Sequence, residues 1–451
     1  MPVNFRIREF LYPFSILKMN HFLNKSQWMP REELENYQVR RLRTIVRHAS
    51  ENVPYYRSLF EKLHFNANEI NTLDSLSRLP TLTKAVIRQN LKILLASNAK
   101  KFHPFAHRTS GSTGEPIEFY LDKPSNVLEF CYYWRHWRWA GYRLGNTFVE
   151  FANDYFLMNK SKERDTYHFN PKTRSLKINT MILCDGRIRD IADCIRKFKP
   201  NFLFGLPSSM CYLAFFLKKH EISDITFKAL FSHGEMLLAY QRKYLENVFE
   251  CKVFDSYGHM ERTVGISECE KGGYHINSEY GILEIIEKEL SPCGTTYTGK
   301  IVGTSLHNFA MPFIRYEVND YIEAPVLPSL CSCGRRLPLI TKIYGRKEDA
   351  IITPDNRIIT CLFTLYDEIE GVALGQIVQT SRNELLLRIA KTESFTSASR
   401  DHILSLLKGF VGDGMRVKID YVTLDTLRSE YPRKFKVVVS HITDMEKTLR
   451  E

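Results

Sequence analysis

Arg108-Thr109-Ser110-Gly111-Ser112-Thr113-Gly114-Glu115-Pro116 places four hydroxyl side chains and two glycines in the six positions from Thr109 to Gly114. Glycine permits positive φ and lets a ligand come close to the backbone. Hydroxyls and free backbone N–H groups in such a loop can surround an anion without any charged side chain. The run Ile117-Glu118-Phe119-Tyr120 that follows reads as a strand, which sets the loop on a hairpin. The same composition also suits a flexible Ser/Gly surface turn. The rest of the chain decides between the two.

The chain has 451 residues, too many for one ordinary core, which implies two or more domains. Apolar residues make up 44% and charged residues 25%, the balance of a soluble globular protein. A net charge of +12 would suit a polyanionic partner, but it is spread along the chain without a basic tail. A solvated basic surface is the simpler reading. Arginines and aromatics are not interleaved on a recognisable platform, so no nucleic-acid partner is expected. No apolar run is long enough to span a bilayer. The N-terminal Phe10-Leu11-Tyr12-Pro13-Phe14-Ser15-Ile16-Leu17 is short, broken by Pro13 and without a small-residue cleavage site, so it is not read as a signal peptide. Peripheral contact of this segment with a membrane surface stays open. Cys131, Cys194 and Cys211 lie in apolar segments and read as reduced, buried thiols of a cytoplasmic protein.

Leu34, Val39, Leu42, Ile45 and Val46 recur at helical spacing within 32–64, and Pro54 interrupts that pattern. Thr83 is placed to cap a helix over Lys84–Leu95. Phe130–Trp139 reads as a buried packing helix rather than a base-stacking face. From residue 147 strand candidates at Thr147–Phe151, Ile178–Cys184, Phe202–Phe204, Ala229–Phe231 and Lys252–Phe254 alternate with helices at Arg187–Phe198, Ser208–His220 and Leu238–Val248. That rhythm predicts an α/β domain with a largely parallel sheet, whose ligands bind beyond the carboxyl ends of the strands. After about 280 the texture is β-rich, with short strands at Gly281–Ile286, Gly299–Ser305, Phe313–Tyr316 and Tyr321–Glu323. The tail reads strand Gln376–Thr380, strand Leu385–Ile389, helix Thr396–Gly409 and strand Met415–Val422, a compact α+β unit. The expected division is therefore 1–345 for a large N-terminal domain and 346–451 for a small C-terminal one.

Four motifs occur in a fixed order. After the loop at 109–116 come Ser256-Tyr257-Gly258-His259-Met260-Glu261, then Thr304-Ser305-Leu306 through Met311-Pro312-Phe313-Ile314-Arg315-Tyr316-Glu317-Val318-Asn319-Asp320. Last is Cys331-Ser332-Cys333-Gly334-Arg335-Arg336, which runs on to Gly345-Arg346-Lys347-Glu348-Asp349. The ordered set resembles the adenylate-forming superfamily, and within it the phenylacetate–CoA ligase-like branch that includes CapK-type capsule proteins and coenzyme F390 synthetase. The likeness extends over nearly the whole chain.

The resemblance implies that Thr109, Ser110, Gly111, Ser112, Thr113 and Gly114 hold the β- and γ-phosphates of ATP. The family often has lysine at the next position, where this chain has Glu115. It implies further that Glu261 ligates Mg²⁺, that Tyr257 stacks on adenine between Ser256 and Gly258, and that Asp320 takes the ribose hydroxyls. A core tyrosine with a satisfied hydroxyl is the alternative for Tyr257. Where the family often has Thr-Gly-Asp, this chain has Val318-Asn319-Asp320, a mild change because Asn tolerates left-handed backbone. Arg346, and less so Arg315, would contact ribose or phosphate; the alternative for both is a surface ion pair. His233-Gly234-Glu235-Met236 would border adenine and the acyl pocket, with Gly205-Leu206-Pro207-Ser208-Ser209 on the opposite wall. His233 suits a structural and a substrate-contacting role equally. A mobile C-terminal domain would bring Lys434, in Tyr431-Pro432-Arg433-Lys434-Phe435-Lys436, to the forming adenylate, with Lys436 as runner-up. The superfamily usually has Gly before that lysine; here it is Arg433.

Cys269, His275, Cys331 and Cys333 form a second signal: three thiols and one imidazole suit a closed, structural tetrahedral Zn²⁺ site. Some members of the branch carry cysteines and a histidine in these segments. Adenylation itself asks mainly for positioning and charge stabilisation, since a substrate carboxylate attacks the α-phosphate while pyrophosphate leaves. The activity the resemblance implies is ATP-dependent adenylation of a carboxylic acid and transfer of the acyl group to coenzyme A, with capsule or surface polysaccharide formation as its setting. Transfer to an amine, or of AMP itself to a cofactor hydroxyl, is the alternative; a homodimer stays open.

Overall fold

A computed structural model describes residues 13–108, 117–143, 145–151, 165–171, 173–179, 185–346, 351–354, 358–359, 365–366, 369–431 and 435–442. Two compact units result: the described residues up to Tyr142 with Ser256–Tyr344, and Arg143–Asp255 with the described residues from Gly345 onward.

The first unit begins with α1 (Pro13–Ser26), α2 (Arg31–Asn52), α3 (Pro54–Lys62) and α4 (Lys84–Leu94). Leu34, Leu42, Ile45 and Val46 are buried on α2, as their spacing predicts. Pro54 opens α3, and Val53 before it is extended (φ −111°), as a residue preceding proline must be. The Thr83 hydroxyl caps α4 by accepting from Val86 N at 3.3 Å. Strands β1 (Phe105–Arg108) and β2 (Glu118–Leu121) pair antiparallel with Arg108 opposite Glu118, so the expected hairpin base is present. The capping box of Asp122 and Ser125 starts α5 (Lys123–Trp139). Tyr132, Tyr133 and Trp137 are buried on it, which bears out the packing-helix reading.

The second unit opens with β3 (Phe148–Phe151), β4 (Tyr167–Asn170), β5 (Ser175–Ile178), α6 (Ile188–Phe198), β6 (Phe202–Gly205), α7 (Pro207–Lys219), β7 (Ala229–His233) and α8 (Ala239–Phe249). The strands lie in the order β7-β6-β3-β5-β4. All pairs are parallel except β4 with β5, the βαβ pattern expected from the sequence. The strand expected over Ile178–Cys184 is displaced. It runs from Ser175 to Ile178, and residues 180–184 lie outside the described residues. Its polar start hid it: Lys177 is buried and pairs with the carboxylate of Glu150, which faces it in the register.

The chain re-enters the first unit along β8 (Val253–Gly258), followed by β9 (Gly265–Glu268), β10 (Tyr274–Ile276), β11 (Gly281–Leu290), β12 (Thr296–Ser305), β13 (Tyr316–Pro325), β14 (Leu339–Ile340) and β15 (Lys342–Arg346). β11, β12 and β13 form an antiparallel meander. The expected strand at Phe313–Tyr316 is absent, because Arg315 adopts φ 53° and β13 starts only at Tyr316. The separate strand expected at Tyr321–Glu323 is the middle of β13.

The C-terminal part adds the ribbon β16 (Ile351–Ile352) and β17 (Ile358–Ile359). It then forms β18 (Val372–Ser381), β19 (Glu384–Lys391), α9 (Ser397–Val411), β20 (Arg416–Tyr421), α10 (Leu424–Glu430) and β21 (Val438–Ser440), with sheet order β20-β19-β18-β21. The predicted strand–strand–helix–strand sequence is present, with α10 and β21 in addition. The architecture is a large N-terminal α/β region followed by a small α+β region. No described helix is long and apolar enough to cross a membrane.

Candidate active site

In the first unit the turn between β8 and β9 carries Glu261. Its side chain is buried, and the Tyr316 hydroxyl donates to its Oε1 at 2.5 Å. The turn is clamped from below: a Cβ on Gly281 would meet the Thr263 carbonyl oxygen at 1.9 Å, and one on Gly303 would meet Thr263 Oγ1 at 2.0 Å. Only glycine fits at either point. His259 Nε2 lies 2.8 Å from Thr263 Oγ1, within the same turn. Glu261 thus sits on a fixed backbone with one oxygen oriented by a phenol.

Tyr257 and Asp320 meet directly. The Tyr257 hydroxyl donates to Asp320 Oδ2 at 2.6 Å, and both side chains are half-buried. Asn319, just before, takes φ 67°, the left-handed conformation expected of it. Arg315 is a buried ion-pair partner of Glu284, at 3.1 Å, rather than a surface one. Its Nη1 also donates to the Leu79 carbonyl, so its role in the fold is structural.

In the second unit the segment after β7 meets the start of α7. The ring of His233 stacks on Phe204 with centroids 4.2 Å apart and planes 14° from parallel. Gly234 adopts φ 77°. Glu235 Oε2 accepts from Ser208 N at 3.2 Å, where α7 has no capping side chain of its own. A carboxylate satisfies orphan N–H groups and favours the positive end of the helix dipole. The other oxygen of Glu235 accepts from Phe435 N at 2.9 Å. Arg428 on α10 donates to Ser208 Oγ at 2.8 Å and to the Ser209 hydroxyl. Phe435, next to Lys434 in the chain, is therefore tied to Glu235, and Arg428 to Ser208 and Ser209. Lys436 lies on the same segment, its carbonyl accepting from Gln376 Nε2 at 2.9 Å.

Thr109, Ser110, Gly111, Ser112, Thr113, Gly114, Glu115 and Lys434 lie outside the described residues, and Arg346 is described only as the last backbone position of β15. Tyr316 and Phe435 were missed as site residues. Tyr316 stood inside a quoted motif without a role, and a backbone donor such as Phe435 N leaves no signal in residue type.

The four metal-ligand candidates come together in the first unit. One ligand atom from each of Cys269, His275, Cys331 and Cys333 lies within 4.8 Å of all the others. Cys269 Sγ is 3.6 Å from Cys331 Sγ, and Cys333 Sγ is 3.3 Å from His275 Nε2. A tetrahedron with Zn–S of about 2.3 Å and Zn–N of about 2.0 Å has edges of roughly 3.5–3.8 Å. His275 Nδ1 lies 3.2 Å from the Leu337 carbonyl oxygen, which as the acceptor fixes the tautomer and turns the Nε2 lone pair toward the thiols. Burial holds the imidazole neutral, its pKa pushed down to about 4. A Cβ on Gly273 would come within 2.8 Å of Cys331 Sγ, so glycine leaves the thiols their room. The three cysteines are free of disulfides. The residues present fit Zn²⁺.

No family model matches the chain. The phenylacetate–coenzyme A ligase of Aromatoleum evansii is 27% identical over 336 residues, 71% of this chain and 72% of that protein. The phenylacetate–coenzyme A ligase of Pseudomonas putida is 27% identical over 331 residues, with 71% and 72% covered. Among solved structures, 2-hydroxyisobutyryl-CoA ligase in complex with 2-HIB-AMP superposes with a TM-score of 0.70 at 19% identity, covering 94% of this chain and 92% of that one. The chain is thus similar in sequence, over 71% of its length, to phenylacetate–coenzyme A ligases, and its fold is that of 2-hydroxyisobutyryl-CoA ligase. The fold expected from the ordered motifs is thereby established.

Proposed function

We propose that this AMP-forming ligase adenylates a carboxylic acid with ATP and passes the acyl group to coenzyme A. The observation that supports it best is the pair of tyrosine-oriented carboxylates, Tyr316 to Glu261 and Tyr257 to Asp320, in a chain alike over 71% of its length to phenylacetate–CoA ligases.

In this reading Asp320 accepts the ribose hydroxyls, since one carboxylate can take two donors. The phenol of Tyr257 fixes that carboxylate while its ring lies beside adenine, with Ser256 and Gly258 next to it. Gly234 and Glu235 border the nucleotide, and His233 and Gly205 the acyl group. Thr109–Gly114 surround the β- and γ-phosphates. Glu261 would hold Mg²⁺, which neutralises charge on the phosphates. The substrate carboxylate oxygen attacks the α-phosphorus and the bond to pyrophosphate breaks. Lys434 then offsets the negative charge gathered on the reacting oxygens. Arg346 would add a cation on the ribose side. The thiol of coenzyme A next attacks the acyl carbon, and AMP leaves. The boundary between domains 1–345 and 346–451 falls at Gly345–Asp349, and rotation there exchanges the two half-reactions.

Cys269, His275, Cys331 and Cys333 would hold Zn²⁺ and so join the loop after β9 to the loop before β14. With four protein ligands such a site would leave no open position for substrate and would serve structure. A role in capsule or surface polysaccharide formation is the setting proposed for the reaction.

The test is pyrophosphate release from ATP across a panel of carboxylates, with wild-type protein and Glu261→Gln side by side. Release that needs both a carboxylate and Glu261 is expected. Turnover by the variant near the wild-type rate refutes the assignment of Glu261.

A further inference from the structure

An ion pair joins the two loops of the first unit that carry the thiols. Glu270 follows Cys269 after β9, and Arg335 stands two positions after Cys333 before β14. Nη1 of Arg335 donates to both carboxylate oxygens of Glu270, at 3.0 and 2.8 Å. The guanidinium is buried and the carboxylate partly exposed.

The same guanidinium has further partners. Its Nε donates to Gln27 Oε1 at 3.0 Å, and that oxygen also accepts from Trp139 Nε1 at 2.9 Å. Gln27 is buried in the turn after α1, and its backbone carbonyl accepts from Arg336 N at 2.9 Å. The guanidinium carbon lies 4.4 Å from the Trp139 ring centroid and 5.3 Å from that of Trp28, contacts in which a cation is drawn to the face of an aromatic ring. The Trp139 indole meets the His275 imidazole edge-on, with centroids 5.8 Å apart and planes at 72°. Arg335 therefore holds the neighbour of Cys269, belongs to the loop of Cys331 and Cys333, and reaches His275 through one indole. Arginine suits such a position, because its planar fork of donors fixes several partners in one geometry.

We propose that Arg335 is a positioning residue of the metal centre: with Glu270 and Gln27 it sets the two thiol loops and the His275 ring in place before Zn²⁺ enters. Loops that become ordered only on binding cost affinity, and loops ordered beforehand spare that cost. Groups that hold metal ligands without touching the metal typically contribute about 10–100-fold in affinity. The inference rests on the reading of Cys269, His275, Cys331 and Cys333 as zinc ligands, and it is independent of the adenylation reading.

The experiment titrates Zn²⁺ into the metal-stripped full chain in competition with a chromophoric chelator, with the melting midpoint recorded for each protein. Wild type is expected to take one zinc per chain. Arg335→Met keeps the apolar stem and removes the donors, and it weakens zinc binding about 10–100-fold. Glu270→Gln keeps the shape and removes the charge, and it weakens binding about tenfold. Because Glu270 is partly exposed, this variant carries the test even where Arg335→Met fails to fold. The double variant binds no more weakly than Arg335→Met alone, since both substitutions break one contact. Arg335→Lys, which restores a cation opposite Glu270, recovers part of the loss. Glu284→Gln, which breaks the pair with Arg315, lowers the melting midpoint and leaves zinc affinity unchanged. Wild-type affinity in both Arg335→Met and Glu270→Gln, with one zinc bound by the wild type, overturns the positioning role alone. A wild-type chain that binds no zinc overturns the zinc centre and this role with it. A loss of affinity in Glu284→Gln as large as that in Arg335→Met makes the effect one of general stability and overturns the role as well.

Discussion

Glu261 and Asp320 have in common that a tyrosine hydroxyl donates to one carboxylate oxygen of each. Residues that orient a metal ligand typically contribute 10–100-fold in metal affinity. Tyr316→Phe removes that orientation and little volume, so the Mg²⁺ concentration for half-maximal adenylation should rise by about 10–100-fold. An unchanged Mg²⁺ titration would show that Glu261 does not hold the ion. Glu115 poses the opposite question. A carboxylate follows the loop proposed to hold the phosphates, where the family this chain resembles often has lysine, and Glu115→Lys should lower the KM for ATP about tenfold, the effect of one charged hydrogen bond of roughly 1.5 kcal/mol. Steady-state kinetics at fixed carboxylate measure it, and a KM that stays the same or rises would place position 115 away from the phosphates. Asn319 was readable in advance, because few residues other than glycine tolerate its φ of 67°. Arg315 was not. Its left-handed φ of 53° and its buried pairing with Glu284 follow from contacts distant in sequence, and the apolar residues around it imitate a strand.

Among the elements, Gly272 (φ 80°) and Gly334 (φ 82°) turn tightly the loops bearing Cys269, Cys331 and Cys333, while His275 lies on β10. The four ligand atoms gather within 4.8 Å. Spacing indicated this cluster even though Cys-x-Cys is a weak pattern, because four separated ligands that close one tetrahedron rarely arise for other reasons. Protein purified without chelator should carry about one zinc per chain by atomic emission. Cys331→Ser with Cys333→Ser should carry none and should melt several degrees lower; each kcal/mol lost shifts the midpoint by about 2–4 °C in a domain of this size. Wild-type protein free of zinc would eliminate the centre. Helix α7 shows what pattern reading misses. Its N-terminus is satisfied by Glu235, 27 positions away from Ser208, so no local capping residue announces it. β5 was misplaced for a similar reason, since Lys177 reads as solvent-facing until Glu150 is brought opposite it.

For the molecule as a whole, the βαβ rhythm of 147–254 and the α+β order of the tail follow directly from hydrophobic periodicity. The meander of 281–325 was visible, with its strands cut too short. The two compact units are less legible, since each joins segments far apart in sequence. Periodicity reports which face is buried and not against which distant segment. The activity proposed here rests on likeness and on two oriented carboxylates, and one measurement addresses it most directly: release of pyrophosphate and then of AMP, followed in the same reaction across a carboxylate panel, with and without coenzyme A and with amines in parallel. The account predicts that pyrophosphate release depends on a carboxylate and that AMP release depends on coenzyme A in addition. Pyrophosphate release with no carboxylate present, or AMP release driven by amines and indifferent to coenzyme A, would contradict it.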